Sequence, residues 1–239
     1  MAGSRSVIIL CVLFLLLACS RGEQPAEPAG KPQPTVILKP KPRTMSAEQR
    51  KELGFPEELI REVEAASEAI AEPFFEDVMM RTANLRGDVM IAGNRLMGFS
   101  VRTQKADEVI INLSPSYRRK GYLLFRSEQN YGRVPDIVTV VKGSSSYDIL
   151  KIQKTEAPNY HLDTKAIIKW LKEQQSLGSF VVTGAGADWV EARFISPPKN
   201  MKAFARKIVA FAPDVMSEGG VDKLTRRMEK TKSFSLWWD

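Results

Sequence analysis

Few side chains in this sequence can do chemistry at neutral pH. His161 is the single histidine, and Cys11 and Cys19 are the two cysteines. His161 adjoins Asn159-Tyr160 in a turn-like stretch, and no second histidine or thiol accompanies it to build a transition-metal site or a Cys-His pair. A serine triad would also need it, and no feature selects a Ser-Lys dyad. A solvated loop histidine is the simpler reading. Of the carboxylates Asp188, Glu191, Asp214 and Asp239, three stand beside a tryptophan or a helix-stopping proline. If the strand from Trp189 to Ile195 lies near the strand ending at Trp238, some of them converge as oxygen ligands for Ca²⁺ or Mg²⁺, or as acid and base. Their spacing matches no EF-hand, and capping, turn and ion-pair roles are the simpler alternative. Trp189, Trp237 and Trp238 supply aromatic surface. Adjacent strand residues point to opposite faces, so Trp237 and Trp238 cannot both enter one core. Gly184-Ala185-Gly186 is followed by a strand rather than a helix, which reads as a hairpin turn and not a phosphate loop.

The composition sets the frame for these groups. The chain has 239 residues, 44% hydrophobic and 26% charged, which is globular and excludes disordered, collagen-like and disulfide-scaffold classes. Thirty-five basic and twenty-eight acidic residues give +7. Of the mature excess, residues 20–45 carry +3 and residues 46–239 carry +3. No Lys/Arg cluster interleaved with aromatics marks the folded part, so nucleic acid is not an expected partner.

The N-terminus reads as an address. Arg5 precedes the twelve-residue apolar run from Val7 to Ala18, too short to cross a bilayer and typical of a secretory signal. Leu16-Leu17-Ala18-Cys19 resembles the bacterial lipobox, which implies cleavage before Cys19 and a diacylglycerol thioether with further acylation (palmitate) there. Residues 1–18 are thus expected to be a signal peptide, and 19–45 a lipidated cysteine and tether. Pro25, Pro28, Pro32, Pro34, Pro40 and Pro42 keep that tether extended and coreless. The expected location is the bacterial cell envelope, the outer membrane rather than the inner in a Gram-negative cell by virtue of Ser20, with the membrane as partner.

The rest must position the carboxylates and tryptophans. Leu59, Ile60, Val63, Ala66 and Ile70 recur at helical spacing, and Pro73 ends that helix, so 46–87 reads as a helical segment. Short strands follow at Asp88 to Ile91 and Leu96 to Val101 about a Gly93-Asn94 turn. A helix is expected over Gln104 to Lys120, then strands over Tyr122 to Phe125 and Asp136 to Val141. Ser144 to Gln153 fits a short helix better than the alternating pattern it also contains. Thr164 to Gln175 is a helix, Phe180 to Thr183 and Trp189 to Ile195 a hairpin, and two helices precede a final strand, Ser233 to Trp238. This order predicts an α+β fold over 88–239: ferredoxin-like split βαβ units in a mixed or antiparallel sheet, with helices packed on one face.

Within the C-terminal core, about 144–239, the residues resemble a known family. Asn159-Tyr160, Asp188-Trp189-Val190-Glu191, Pro198-Lys199 with Phe204-Ala205, Pro213-Asp214-Val215 and Leu236-Trp237-Trp238-Asp239 resemble domain-of-unknown-function family 4253, with similarity extending back to about residue 90. Ala157-Pro158 stands where that family favours a glycine, and Ala212 where a cysteine is common. The resemblance implies a fold and a boundary but no reaction. Asn159, Tyr160, Asp188, Trp189, Glu191, Asp214, Trp237, Trp238 and Asp239 become the candidate binding residues of an envelope lipoprotein that binds a protein or small ligand. No catalytic residue, metal or other cofactor is assigned. The alternative reading is a metal-assisted hydrolase using Asp188, Glu191 and Asp214.

Overall fold

The computed structural model describes residues 44–84 and 87–239. The expected signal peptide, Cys19 and all but the last two residues of the expected tether lie outside them. The chain starts with two helices, α1 (Ala47–Leu53) and α2 (Glu57–Ser67). Ser46 and Gln49 form a reciprocal capping box at the start of α1, and Gly54, at φ 58°, ends it.

A long antiparallel ribbon comes next, β1 (Glu72–Asn84) with β2 (Gly87–Thr103). The sequence reading places a turn at Gly93-Asn94 and no strand before residue 88. Instead β2 runs straight through, with Gly93 opposite Val78 and Asn94 opposite Asp77. Segment 46–87 therefore holds a strand as well as helices. The Gly-Asn signal is local, and the missed partner strand overrides it by pairing across it.

The remaining elements are α3 (Ala106–Arg119), β3 (Tyr122–Glu128), β4 (Asp136–Lys142), α4 (Asp148–Gln153), α5 (Thr164–Gln174), β5 (Ser179–Ala185), β6 (Trp189–Ser196), α6 (Met201–Phe211), α7 (Gly220–Thr231) and β7 (Ser233–Trp237). Two short 3-10 helices, Pro158–Tyr160 and Pro213–Glu218, interrupt the series. Asp163 caps α5 by accepting from Ala166 N, and Asn200 caps α6 by accepting from Ala203 N.

The seven strands form one mixed sheet in the order β1-β2-β4-β3-β5-β6-β7, so the α+β class holds. β1-β2-β4-β3 is antiparallel throughout, as is β5-β6-β7, and the two groups join where β3 meets β5 in parallel at Arg126 and Gly184. In the first group α3 links β2 to β3, with β4 between them. The second group is not a split unit. Two helices rather than one separate β6 from β7, so the chain returns to the end where β6 finished and the strands pair antiparallel.

The helices also do not share one face. Leu123, Phe125 and Val141 enter one core with α4, α5, α6 and α7, while Leu124, Val138 and Val140 enter another with α1, α2 and α3. Alternation along β3 and β4 puts these two cores on opposite faces of the sheet. Phe180, Phe194, Phe204 and Phe234 anchor the first, with Phe234 4.9 Å from Phe180 and 5.2 Å from Phe204 between ring centroids.

Candidate binding site

Four separate segments meet at the end of the sheet where β7 finishes. Residues 157–162 close on themselves, because Ala157 N donates to Leu162 O and Leu162 N to Ala157 O. That loop presents Asn159 and Tyr160. The β5–β6 turn is tied to the same loop: Glu156 N donates to Ala187 O at 2.8 Å, and the buried Thr155 hydroxyl donates to Gly186 O at 2.7 Å. The 3-10 helix after α6 supplies Asp214. Just past β7 comes Trp238, whose backbone N–H donates to Asp188 O at 3.1 Å.

Asp214 is the hub of this corner. The Tyr160 hydroxyl lies 2.8 Å from both Asp214 oxygens, and Asp239 N donates to Oδ2 at 2.8 Å. Asn159 Nδ2 donates to the Asp239 backbone oxygen at 3.1 Å. The bond to the Asp214 carboxylate raises the Tyr160 phenol above its ordinary value, with desolvation acting in the same direction. Trp238 is only 2% exposed; its indole N–H donates to Phe211 O at 3.1 Å, and Phe211 stacks on Trp170 at 4.3 Å. These bonds enclose a cavity of about 180 Å³ lined by Glu156, Asn159, Tyr160, Asp188, Trp238 and Asp239 among others. Glu156, Asp188 and Asp239 bring carboxylates to an otherwise mostly apolar lining, which suits a ligand group that carries positive charge on an apolar stem.

Trp189 and Trp237 lie directly across from one another on β6 and β7, both half-buried, on the opposite face from Val190 and Leu236. A Cβ on Gly186 would come within 2.1 Å of Trp189 Nε1, and one on Gly184 within 3.0 Å of its ring. Both glycines are needed for the indole to lie against the turn.

Glu191 does not join the other carboxylates. On the same face as Trp189, its Oε2 accepts from Arg126 Nη1 at 2.6 Å. Arg126 also bonds Asp107 of α3 through Nη2, and its Nε lies 3.1 Å from Asp136 of β4. That Nε contact is close enough for an ion pair, but its angle is too poor for a hydrogen bond. Desolvation opposes the charge on Arg126, but attraction to Glu191 and then Asp107 outweighs it and holds the guanidinium above its ordinary value. Desolvation raises Glu191, with Arg126 pulling the other way. Glu191, one of the three ligands of the metal reading, is thus taken up by a guanidinium. Asp188 lines the corner cavity and Asp214 is engaged by Tyr160 and Asp239 N, while Glu191 turns to Arg126, so the trio proposed for a hydrolase does not converge. Among the described residues no group of three His, Cys, Asp or Glu side chains is arranged to hold a metal.

The corner also bears on relationship to known proteins. Residues 137–239 match a family model, Domain of unknown function (DUF4253). No curated protein and no solved structure matches the chain. The DUF4253 match begins inside β4 and takes in all four segments of the corner. It stops short of the similarity read from about residue 90, leaving out Arg126, Asp107 and Asp136. Ala212, where a cysteine was expected, is fully buried at the start of the Asp214 turn, so a small side chain fills that place.

Sequence reasoning missed Arg126 and Thr155. An arginine inside the apolar run of β3, Tyr122-Leu123-Leu124-Phe125-Arg126, was the available signal, since a charge there must be paired. His161 is exposed at φ 54° and closes the 3-10 turn.

Proposed function

We propose that this chain is a lipid-anchored, non-enzymatic binding module of the bacterial cell envelope, held at the membrane through Cys19. The observation that carries the binding role is the convergence of Asn159, Tyr160, Asp188, Trp238 and Asp239 on one small cavity, held together by Asp214 through Tyr160 and the Asp239 backbone. The fitting partner is a protein that offers a Lys or Arg side chain to the cavity and an apolar contact to Trp189 and Trp237. The lipobox-like Leu16-Leu17-Ala18-Cys19 supports the anchor, with the outer membrane as the proposed destination.

The two parts of the reading are tested separately. Cys19→Ala is expected to release the chain from the membrane fraction, and unchanged fractionation would overturn the anchor. Asp188→Asn, on the exposed rim, is expected to weaken crosslinking to the partner in intact cells without altering the melting temperature; undiminished crosslinking would overturn the cavity as the site.

A further inference from the structure

Charge divides between the two helical layers in a way that the near-balanced total conceals. Helices α4, α5, α6 and α7 contain eleven Lys and Arg against four Asp and Glu. Helices α1, α2 and α3 contain five against eight. Because the two layers cover opposite faces of the sheet, the domain has a basic side and an acidic side. The basic side is densest on α6 and α7, where Lys202, Arg206, Lys207, Lys223, Arg226 and Lys230 are all exposed.

A groove of about 560 Å³ runs along α7. Its walls carry Lys223, Arg226, Arg227 and Lys230, and its floor is apolar, formed by Val215 and Leu224. Met216, next to Val215 in the chain, is 43% exposed. Cationic walls over an apolar floor match a molecule with a phosphate head and a hydrocarbon neighbour, whereas a nucleic-acid surface would call for aromatic side chains interleaved with the cations.

From this polarity we propose that the α6–α7 face docks on an anionic phospholipid surface, so that the domain lies with its basic layer on the bilayer and its α2 layer away from it. The proposal rests on the membrane location argued above. One acyl-anchored end supplies proximity and the basic face supplies a second attachment, the two-signal arrangement that makes peripheral binding stable. The segment from Cys19 to Met45 is long enough, at up to about 3.3–3.6 Å per residue, for either layer to reach the surface.

The test uses the full chain purified from bacteria and mixed with vesicles of phosphatidylcholine alone or with phosphatidylglycerol. A water-soluble amine reagent then marks exposed lysines, which are read by mass spectrometry. Labelling of Lys202, Lys207, Lys223 and Lys230 is expected to fall about fivefold or more on anionic vesicles at low salt and to recover at high salt, while Lys51 on α1 labels equally throughout. The exposed triple variant Lys223→Gln/Arg226→Gln/Lys230→Gln is expected to restore labelling at Lys202 and Lys207. Equal labelling on neutral and anionic vesicles would overturn the proposal. Protection by double-stranded DNA as strong as that by vesicles would also overturn it, making the layer a general polyanion surface. The mass of the Cys19 peptide in the same digest reports lipidation independently, so a missing anchor and an inert basic face give different results.

Discussion

Arg126 and Glu191 lie on opposite sides of the parallel seam in the sheet, and the Nη1–Oε2 bond of 2.6 Å crosses it. The strands meet there at Arg126 and Gly184, so a side-chain clamp reinforces a junction with little backbone pairing. Asp107 and Asp136 draw α3 and β4 into the same clamp.

Removing the cation leaves three carboxylates facing one another. Arg126→Ala is expected to cost about 3–5 kcal/mol, the range for stranding buried charges, seen as a lower urea midpoint. Asp107→Asn is expected to cost about 0–1 kcal/mol, because the Asp107 side chain is 78% exposed and its pairing is screened. Equal losses in the two variants would contradict a buried clamp.

The clamp has a pH signature. Burial raises Glu191 in the folded state, so the folded protein holds that proton more tightly than the unfolded chain. Its contribution is fully present below the unfolded carboxyl value and declines as pH rises through the raised folded value. Glu191→Gln lacks this decline. Its stability relative to wild type is therefore expected to increase from pH 4 toward neutrality, measured by thermal melts across that window. A difference that stays constant or shrinks would contradict the burial of a charged Glu191.

Tyr160 titrates in the opposite range. Its hydrogen bond to Asp214 raises the phenol, and this stabilising contribution is complete below the ordinary tyrosine value and is lost as pH rises through the folded one. In Asp214→Asn, the alkaline absorbance titration is expected to show one tyrosine shifted back downward. An unchanged titration would mean that the bond is not held in solution.

The adjacent tryptophans are expected to behave differently. Trp238→Ala should cost about 3–5 kcal/mol because it empties a filled core position beside Phe211. Trp237→Thr should cost about 1 kcal/mol or less, the scale of a cross-strand pair. Chemical denaturation of both variants separates the fully buried anchor from the half-buried one.

Much of the C-terminal region was legible in the sequence because its signals are local. The period of α5 and α6, the alternation of β6 and the proline stops define elements without long-range information. The β1 strand was not legible, since it depends on β2 as partner and its Gly93-Asn94 neighbour imitates a turn. The corner was legible in part: its residues stood out, but their meeting depends on how four loops stack at one sheet end. Glu191 was grouped with Asp188 by proximity in sequence, whereas strand geometry turns it to the other face, toward an arginine sixty-five positions away. The charge polarity of the helical layers was hidden because it appears only once alternate faces of the sheet are assigned.

The central claim is that this domain binds a partner through the sheet end that bears the corner cavity and the tryptophan pair. The most direct measurement is quantitative crosslinking in intact cells followed by purification and mass spectrometry, comparing wild type with Trp237→Thr at matched abundance and melting temperature. The account predicts a stoichiometric protein partner on wild type that is lost from the variant, with its crosslinks mapping to the cavity residues Asn159 and Asp188 and to the neighbouring strand end at Trp237. The same partners at the same yield on both proteins, or none on either, would contradict it.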